Sequence, residues 1–193
     1  MLGVAFLDFR GKTMPFIFLS KPAEQTVKAG PIVGERVPSE PALESNGNIQ
    51  LIAFMRHVGC PFAEHTVKRL DDLASENPGL DIYLVSHAAE QPTKDWLLSL
   101  KTVNQFKLII DTAREIYGKW GLGFSSASHF LGAPSLLGAS RLLFKGIRNR
   151  NAYGTRWQRA GLFCVKDGVL LWSHVPTSAE QFALPPSEYL KKD

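Results

Sequence analysis

The chain has 193 residues, of which 45% are hydrophobic and 21% are charged, and this length predicts one domain. The composition excludes a wholly disordered protein, and no apolar run reaches the roughly 18 residues that a membrane span needs. The apolar first 20 residues carry charges and make a poor signal peptide. We assign residues 1–29 to an N-terminal extension and residues 30–193 to the domain.

Only two cysteines are present, Cys60 and Cys164, and they form neither a CxxC pair nor a zinc-ligand pattern. Such sparse cysteine usage favours a reducing compartment over a disulfide-stabilised secreted domain. We therefore expect a cytoplasmic protein. We also expect it to hold no metal and no bound cofactor, and to have neither a membrane nor a nucleic acid as a partner. The sequence leaves a homodimer open.

The net charge of +4 is unevenly distributed. No acidic residue lies between Glu115 and Asp167. That stretch is either a solvated basic face or a positive field that attracts an anionic small-molecule substrate. Its basic residues are Lys119, Arg141, Lys145, Arg148, Arg150, Arg156, Arg159 and Lys166.

In chain order, a Pro- and Gly-rich lead-in over 22–48 is followed by strands and helices in alternation. Continuous or alternating apolar runs predict strands, and Asp167-Gly168 between two apolar runs predicts a hairpin. Helical spacing and breakers predict the helices, with Pro61 at one start, Asn77-Pro78-Gly79 at its end and Asp111 as a cap. The predicted strands are 49–55, 80–86, 106–110 and the hairpin 162–172; the predicted helices are 61–76, 91–101, 112–120, 134–147 and a short piece at 186–190.

Strands that alternate with helices indicate a parallel sheet with covered faces, and the final hairpin adds antiparallel strands. We therefore predict an α/β, thioredoxin-like fold with a central mixed sheet, a terminal β-hairpin and helices on both faces.

Cys60 lies at the junction between the first buried strand and its helix. The N-terminus of a helix carries unpaired N–H groups and a partial positive charge, which favour a thiolate. Arg56 and His57 lie just upstream. This context favours a reactive cysteine over a buried structural one, whereas Cys164 lies inside an apolar strand and is expected to be part of the core.

The segment from Phe54 to Glu64, with the sequence FMRHVGCPFAE, resembles the active-site segment of AhpC/TSA-type peroxiredoxin-like proteins. It is most similar to their prostamide/prostaglandin F synthase branch, whose members read Arg-x-x-Gly-Cys-x-x-Cys-Arg-Glu. Two further segments, 111–122 and 157–164, are weakly similar to that family. The resemblance implies a thioredoxin fold, a redox-active Cys60 and an antioxidant or oxidoreductase role.

Two positions depart from the family pattern. Ala63 replaces the second cysteine of CxxC, which excludes a CxxC disulfide. True peroxiredoxins also carry Pro-x-x-x-Thr-x-x-Cys, and here those positions hold Ala53 and His57, so the hydroxyl that orients a peroxide is missing.

The candidate catalytic residues are Cys60, His57 as a base or hydrogen-bond donor, and Arg56 as an ion-pair partner of the thiolate. For each of His57 and Arg56 the alternative is a solvated surface residue. The residues that we assign to substrate binding share a place near the start of the Cys60 helix or of the penultimate strand: Pro61, Phe62, Glu64, Arg156 and Arg159.

Three functions remain open. The first is a one-cysteine thiol-dependent oxidoreductase, in which Cys60 attacks a peroxide or endoperoxide and an external thiol, glutathione or thioredoxin, reduces it again. The second keeps the fold without redox chemistry, as an isomerase or lyase that acts on an organic anion in the Cys60/His57 pocket. The third is a non-catalytic binding module.

Overall fold

A computed structural model describes residues 21–23, 25–43 and 47–190, apart from the side chain of Phe130. The predicted extension therefore falls largely outside the described residues. The strands are β1 (Gln50–Phe54), β2 (Asp81–Ser86), β3 (Lys107–Ile110), β4 (Gly161–Lys166) and β5 (Val169–His174). The α-helices are α1 (Pro61–Glu76), α2 (Glu90–Leu100), α3 (Glu115–Lys119), α4 (Ala127–Leu131) and α5 (Ala133–Phe144), and 3₁₀ turns occupy Pro41–Leu43 and Ser187–Leu190.

The five strands form one mixed sheet in the order β3-β2-β1-β4-β5. β1, β2 and β3 run parallel, and β4 and β5 are antiparallel to their neighbours. The hairpin turn has positive φ at both Asp167 (51°) and Gly168 (73°), as the predicted tight turn requires. This arrangement confirms the predicted thioredoxin-like fold.

The central strand β1 is buried on both faces, which explains its continuous apolar sequence. Because successive side chains point to opposite faces, Leu51 and Ala53 pack with α1 and α2, while Ile52 and Phe54 pack with Tyr117 of α3 and with Trp120, which follows it. Helices thus cover both faces of the sheet, and β1 delivers the loop at its carboxyl end to the middle of the molecule.

Two helices differ from their predicted form. α3 begins at Glu115 rather than at residue 112, because Arg114 takes a left-handed conformation with a φ of 62°. The Asp111 carboxylate still caps it by accepting the backbone N–H groups of Glu115, Ile116 and Tyr117. α5 packs mainly through Ser135, Gly138 and Leu142, and its other leucines face outward.

Candidate active site

Cys60 is the N-cap residue of α1, directly after the loop that leaves β1, and Pro61 occupies the first helical position. The thiol is 2% exposed. Its backbone is extended, at φ −71° and ψ 130°, and no described group caps the helix through the Cys60 side chain. The sulfur is therefore located where the N–H groups of the first turn and their partial positive charge can act on it.

A segment comprising residues 148–156, here called the covering segment, lies across the loop that carries Cys60. Arg150 N donates to Gly59 O at 3.0 Å, and Tyr153 N donates to Val58 O at 3.2 Å. The contact is so close that a Cβ atom on Gly59 would lie 2.3 Å from the carbonyl oxygen of Asn151. This segment therefore packs directly on Val58 and Gly59, the two residues before Cys60.

Glu64 anchors the covering segment rather than only complementing the helix dipole. Its carboxylate is 3% exposed and lies 2.8 Å from Lys68 Nζ and 3.4 Å from Arg150 Nε. Because Arg150 also hydrogen-bonds Gly59 through its backbone, the ion pair ties the covering segment to α1. This position makes Glu64 a structural partner of the site.

Two arginines lie beside Cys60. Arg56 is 5% exposed, and its Nη2 donates to Arg156 O at 3.0 Å, so it is not the surface residue that its sequence allowed. Burial lowers the pKa of the Arg156 guanidinium, while the charge of Cys60 raises it and the charge of Arg56 lowers it. Arg156 is therefore within electrostatic range of Cys60.

Arg159 has different surroundings. Its backbone N–H donates to Gly123 O at 3.1 Å, and its charge lowers the pKa of His129. Burial is the main cause of that lowering, and the charge of Arg56 contributes as well, so Arg56 and Arg159 both act on His129. Arg156 is therefore the arginine of the two that we associate with Cys60.

His57 is buried, 4% exposed, and its Nδ1 donates to Val58 O at 3.0 Å. Burial lowers its pKa to about 3, and the charges of Arg56 and Arg156 add to that effect. The ring is consequently neutral near pH 7 and is a weak base. His57 serves better as a neutral hydrogen-bonding group than as the general base that its spacing suggested.

A second buried histidine, His87, was not predicted as part of the site. It follows β2 as His57 follows β1, and the carboxyl ends of neighbouring parallel strands meet at one edge of the sheet. Its Nε2 accepts the backbone N–H of Thr155 at 3.0 Å, and burial together with His57 lowers its pKa to about 3. His87 therefore helps to position the covering segment through its hydrogen bond with Thr155.

Both histidines should make folding sensitive to mild acid. Each has a folded-state pKa of about 3 against an ordinary value of 6.5, so between these values the unfolded chain binds the proton and the folded chain does not. Stability is then full above about pH 6.5 and falls by up to about 1.4 kcal/mol per pH unit per histidine below it. The free energy of unfolding, measured with urea from about pH 7 to 4.5, should depend less steeply on pH in His57→Asn and in His87→Asn than in wild type. The carboxylates titrate in all three proteins and therefore cancel in this comparison. The same pH dependence in a variant as in wild type would contradict the assignment.

Phe62 and Ala63, in the first turn of α1, line an apolar pocket of about 50 Å³. Its opposite wall is formed by the start of β4 and by residues 176–182, including Leu162 and Phe182. Arg56 also lines this pocket, whereas Cys60 and Pro61 do not. Arg56 thus connects the pocket with the charged surroundings of the thiol.

Cys164 is fully buried in β4, where its sulfur faces Tyr189 O at 3.8 Å. Burial raises its pKa to about 11, and both cysteines are free thiols. Its place within the sheet confirms the expectation of a core residue.

We expect an alkylating reagent at mildly acidic pH to label Cys60 before Cys164. The reason is that burial raises the pKa of Cys164 to about 11, so this thiol is protonated at that pH, and it lies in the middle of β4, whereas Cys60 lies at the end of a loop at the start of α1. Mass mapping of partially labelled protein measures the order. Equal or reversed labelling would contradict the assignment of Cys60 as the reactive thiol.

Tyr117 was also missed by the sequence analysis, and it connects the two strands that carry the site. Its hydroxyl lies 2.7 Å from Met55 O and 2.8 Å from Val85 O, at the ends of β1 and β2. The edge of its ring also meets His87. An aromatic residue in a helical pattern predicts burial only, since its hydroxyl partners are distant in sequence.

Among the residues that the structure describes, no group of three His, Cys, Asp or Glu is arranged to hold a metal ion. Within this part of the chain, no helix is both long enough and apolar enough to cross a bilayer.

No protein-family model matches the chain, and no curated protein matches its sequence. Solved structures do match its fold. A thiol peroxidase from Chromobacterium violaceum has a TM-score of 0.57 at 11% identity, with 82% of this chain and 84% of that chain covered. Peroxiredoxin 6 from Arenicola marina has a TM-score of 0.53 at 16% identity, covering 83% and 71%. Reduced Prx3 from Vibrio vulnificus, in complex with H₂O₂, has a TM-score of 0.51 at 13% identity, covering 82% and 95%. The chain therefore has the thioredoxin-like fold that these peroxiredoxins share.

Proposed function

We propose that the protein is a one-cysteine thiol peroxidase whose nucleophile is Cys60. The observation that carries the proposal is the place of Cys60 at the N-cap of α1, beside the half-buried guanidinium of Arg156. A helix N-terminus and an arginine are the two environments that most favour a thiolate, which is the nucleophilic form. Two of the structural neighbours are named as a thiol peroxidase and as a complex with H₂O₂, which agrees with this chemistry.

In the proposed reaction, the Cys60 thiolate attacks one oxygen of a peroxide. An S–O bond forms and the O–O bond breaks, so sulfur is oxidised to sulfenic acid and the departing oxygen leaves as an alkoxide or hydroxide that takes up a proton. The Arg156 guanidinium can donate to both peroxide oxygens and stabilise the charge on the leaving one. Arg156 would thus orient the peroxide in place of the threonine hydroxyl of true peroxiredoxins, whose position His57 occupies here.

Reduction must come from outside the domain. Ala63 lies where a resolving cysteine would be, and Cys164 is fully buried with a pKa of about 11. An external thiol would attack the sulfenic sulfur to give a mixed disulfide and water, and a second thiol would release Cys60 and form the external disulfide. Glutathione and thioredoxin are both candidates for this step.

The alternative of an isomerase or lyase needs an acid–base group. One candidate for that group was His57, whose pKa of about 3 makes it a weak base at neutral pH. The peroxidase proposal uses His57 only as a neutral neighbour, so it agrees better with the electrostatics of the site.

The test is peroxide consumption by the purified protein with glutathione, dithiothreitol or thioredoxin as the reductant. We expect one equivalent of disulfide to form for each equivalent of peroxide consumed. Consumption no faster than in buffer with all three reductants would contradict the proposal.

Arg156→Met should lower the rate of the peroxide reaction about ten- to a hundredfold, because a charged hydrogen bond is worth about 1.5–3 kcal/mol. Arg159→Met is the matched control: it removes the same charge from a neighbouring position, and we expect a much smaller loss. Stopped-flow rates of Cys60 oxidation measure both. A larger loss of rate in the Arg159 variant would indicate that Arg159, and not Arg156, donates to the peroxide oxygens.

A further inference from the structure

The outward face of α5 is apolar, in reverse of the usual arrangement for a surface helix. Leu136, Leu137 and Leu143 are 57%, 59% and 54% exposed, and Phe144 is 91% exposed. At 100° per residue these four side chains fall within an arc of about 120°. We call these four residues the α5 patch.

The inward face of α5 cannot exchange with the patch, because it makes specific contacts. Ser135 Oγ lies 2.7 Å from His129 O and 2.8 Å from a carboxylate oxygen of Glu180. Gly138 lies so close to its neighbours that a Cβ atom there would be 2.4 Å from Glu180 Cβ and 3.2 Å from the Phe62 ring. Helix packing therefore fixes the patch on the surface.

The surroundings of the patch are basic. Arg141, Lys145 and Arg148 are exposed and form no ion pair within the part of the chain that the structure describes. Burial lowers the pKa of His65 on α1, and Lys145, Arg69 and Lys68 each lower it further, so positive charge extends across the neighbouring helix. The sequence from residue 116 to residue 166 contains no Asp or Glu.

We propose that α5 attaches the protein to the surface of an anionic lipid bilayer. The leucines and Phe144 would lie below the headgroups, and the basic side chains would meet lipid phosphates and carboxylates. The proposal departs from our expectation of no membrane partner, which came from the lack of a spanning segment; a helix lying in the interface needs none. It is independent of the peroxidase chemistry.

Charge favours a lipid surface over three other candidates that could cover the α5 patch: a second copy of the chain, residues 1–20 and a nucleic acid. A two-fold contact between copies of the chain would place the same basic residues against each other, which is unfavourable. Residues 1–20 are apolar but carry no net negative charge to match the basic rim. A nucleic acid would use the basic residues but would leave the apolar patch unmatched.

The test is flotation of the full-length protein with vesicles of phosphatidylcholine alone or with about 30% phosphatidylserine. We expect binding to the anionic vesicles only. Phe144→Gln should lower the partition coefficient about ten- to a hundredfold, since a Phe side chain loses its apolar environment. Arg141→Gln and Lys145→Gln should each lower it about fivefold. Leu98→Gln and Lys94→Gln, exposed apolar and basic positions on α2, are the matched controls and should bind like wild type.

Several results would overturn the proposal. One is an absence of binding to anionic vesicles, which a patch covered by residues 1–20 would also produce. Others are equal losses in the α2 controls, or a dimer in light scattering that Phe144→Gln dissociates. Binding of single-stranded RNA more tightly than anionic vesicles, with no dependence on Phe144, would assign the basic face to nucleic acid instead.

Discussion

Replacing Cys60 by serine is expected to remove all protein-dependent peroxide reduction, to the level of the buffer. A serine hydroxyl at the same N-cap is not ionised near neutral pH and does not attack peroxide oxygen as a thiolate does. The fold should persist, because serine is a favoured N-cap residue and is close to cysteine in size. Circular dichroism and the urea midpoint check the fold, and a coupled peroxide assay measures the activity.

Cys164→Ala is the matched control for that substitution. It removes the other thiol from the core strand β4, and we expect the peroxide rate to stay within about twofold of wild type, with a modest loss of stability from the small cavity. If Cys164→Ala abolished activity and Cys60→Ser did not, the assignment of the nucleophile would be wrong. Loss in both variants would indicate a two-cysteine mechanism.

Gly59→Ala should be the most destabilising single-methyl change near the site. Gly59 has a φ of 85°, and its new Cβ would lie 2.3 Å from Asn151 O in the covering segment. The left-handed conformation costs about 1–2 kcal/mol for a residue with a side chain, and relieving the overlap adds about 1–3 kcal/mol. Chemical denaturation should therefore show a loss of about 2–5 kcal/mol in the free energy of unfolding.

Gly146→Ala separates these two contributions. Gly146 has a φ of 81°, and no atom lies within 4 Å of its added Cβ. It should lose only the conformational part, about 1–2 kcal/mol. Gly59→Ala should also raise the reactivity of Cys60 toward a bulky thiol reagent, since the covering segment must move away. Equal stability losses in the two variants would show that the contact with Asn151 is not restrictive.

The sequence predicted the elements that local chemistry defines. α1 has the predicted bounds, because Pro61 begins it and Asn77-Pro78-Gly79 ends it. The hairpin at Asp167-Gly168 follows from a two-residue turn that needs positive φ. The continuous apolar run of β1 likewise predicted a central strand, and the alternation of strands and helices gave the topology.

The sequence did not predict features that arise from contacts between distant segments. Residues 148–156 carry basic and turn residues that suggest only a loop, yet they bond to the loop before Cys60. Glu64 was assigned to substrate binding, and its ion pair with Arg150, 86 residues further along the chain, could not be predicted. For α5, helical spacing was visible, but which face would be buried depended on Ser135 and Gly138 meeting residues near position 180.

The candidate site shows the same division. Cys60 could be singled out because its strand–loop–helix context is local. His57 and Arg56 were named as site residues. Their surroundings, and the loss of basicity that burial causes in His57, depend on distant residues such as Arg156 of the covering segment. His87 had no signal beyond its place after β2, where the ends of two parallel strands meet.

The most direct test of the account is a single-turnover reaction of the reduced protein with one equivalent of H₂O₂ in the presence of a sulfenic-acid trap such as dimedone. We predict one trapped adduct per chain, located on Cys60 by peptide mapping, formed faster than with free cysteine and slowed in Arg156→Met. No adduct on Cys60, or adduct formation no faster than with free cysteine, would contradict the central claim that this thiol is a peroxide-reducing nucleophile.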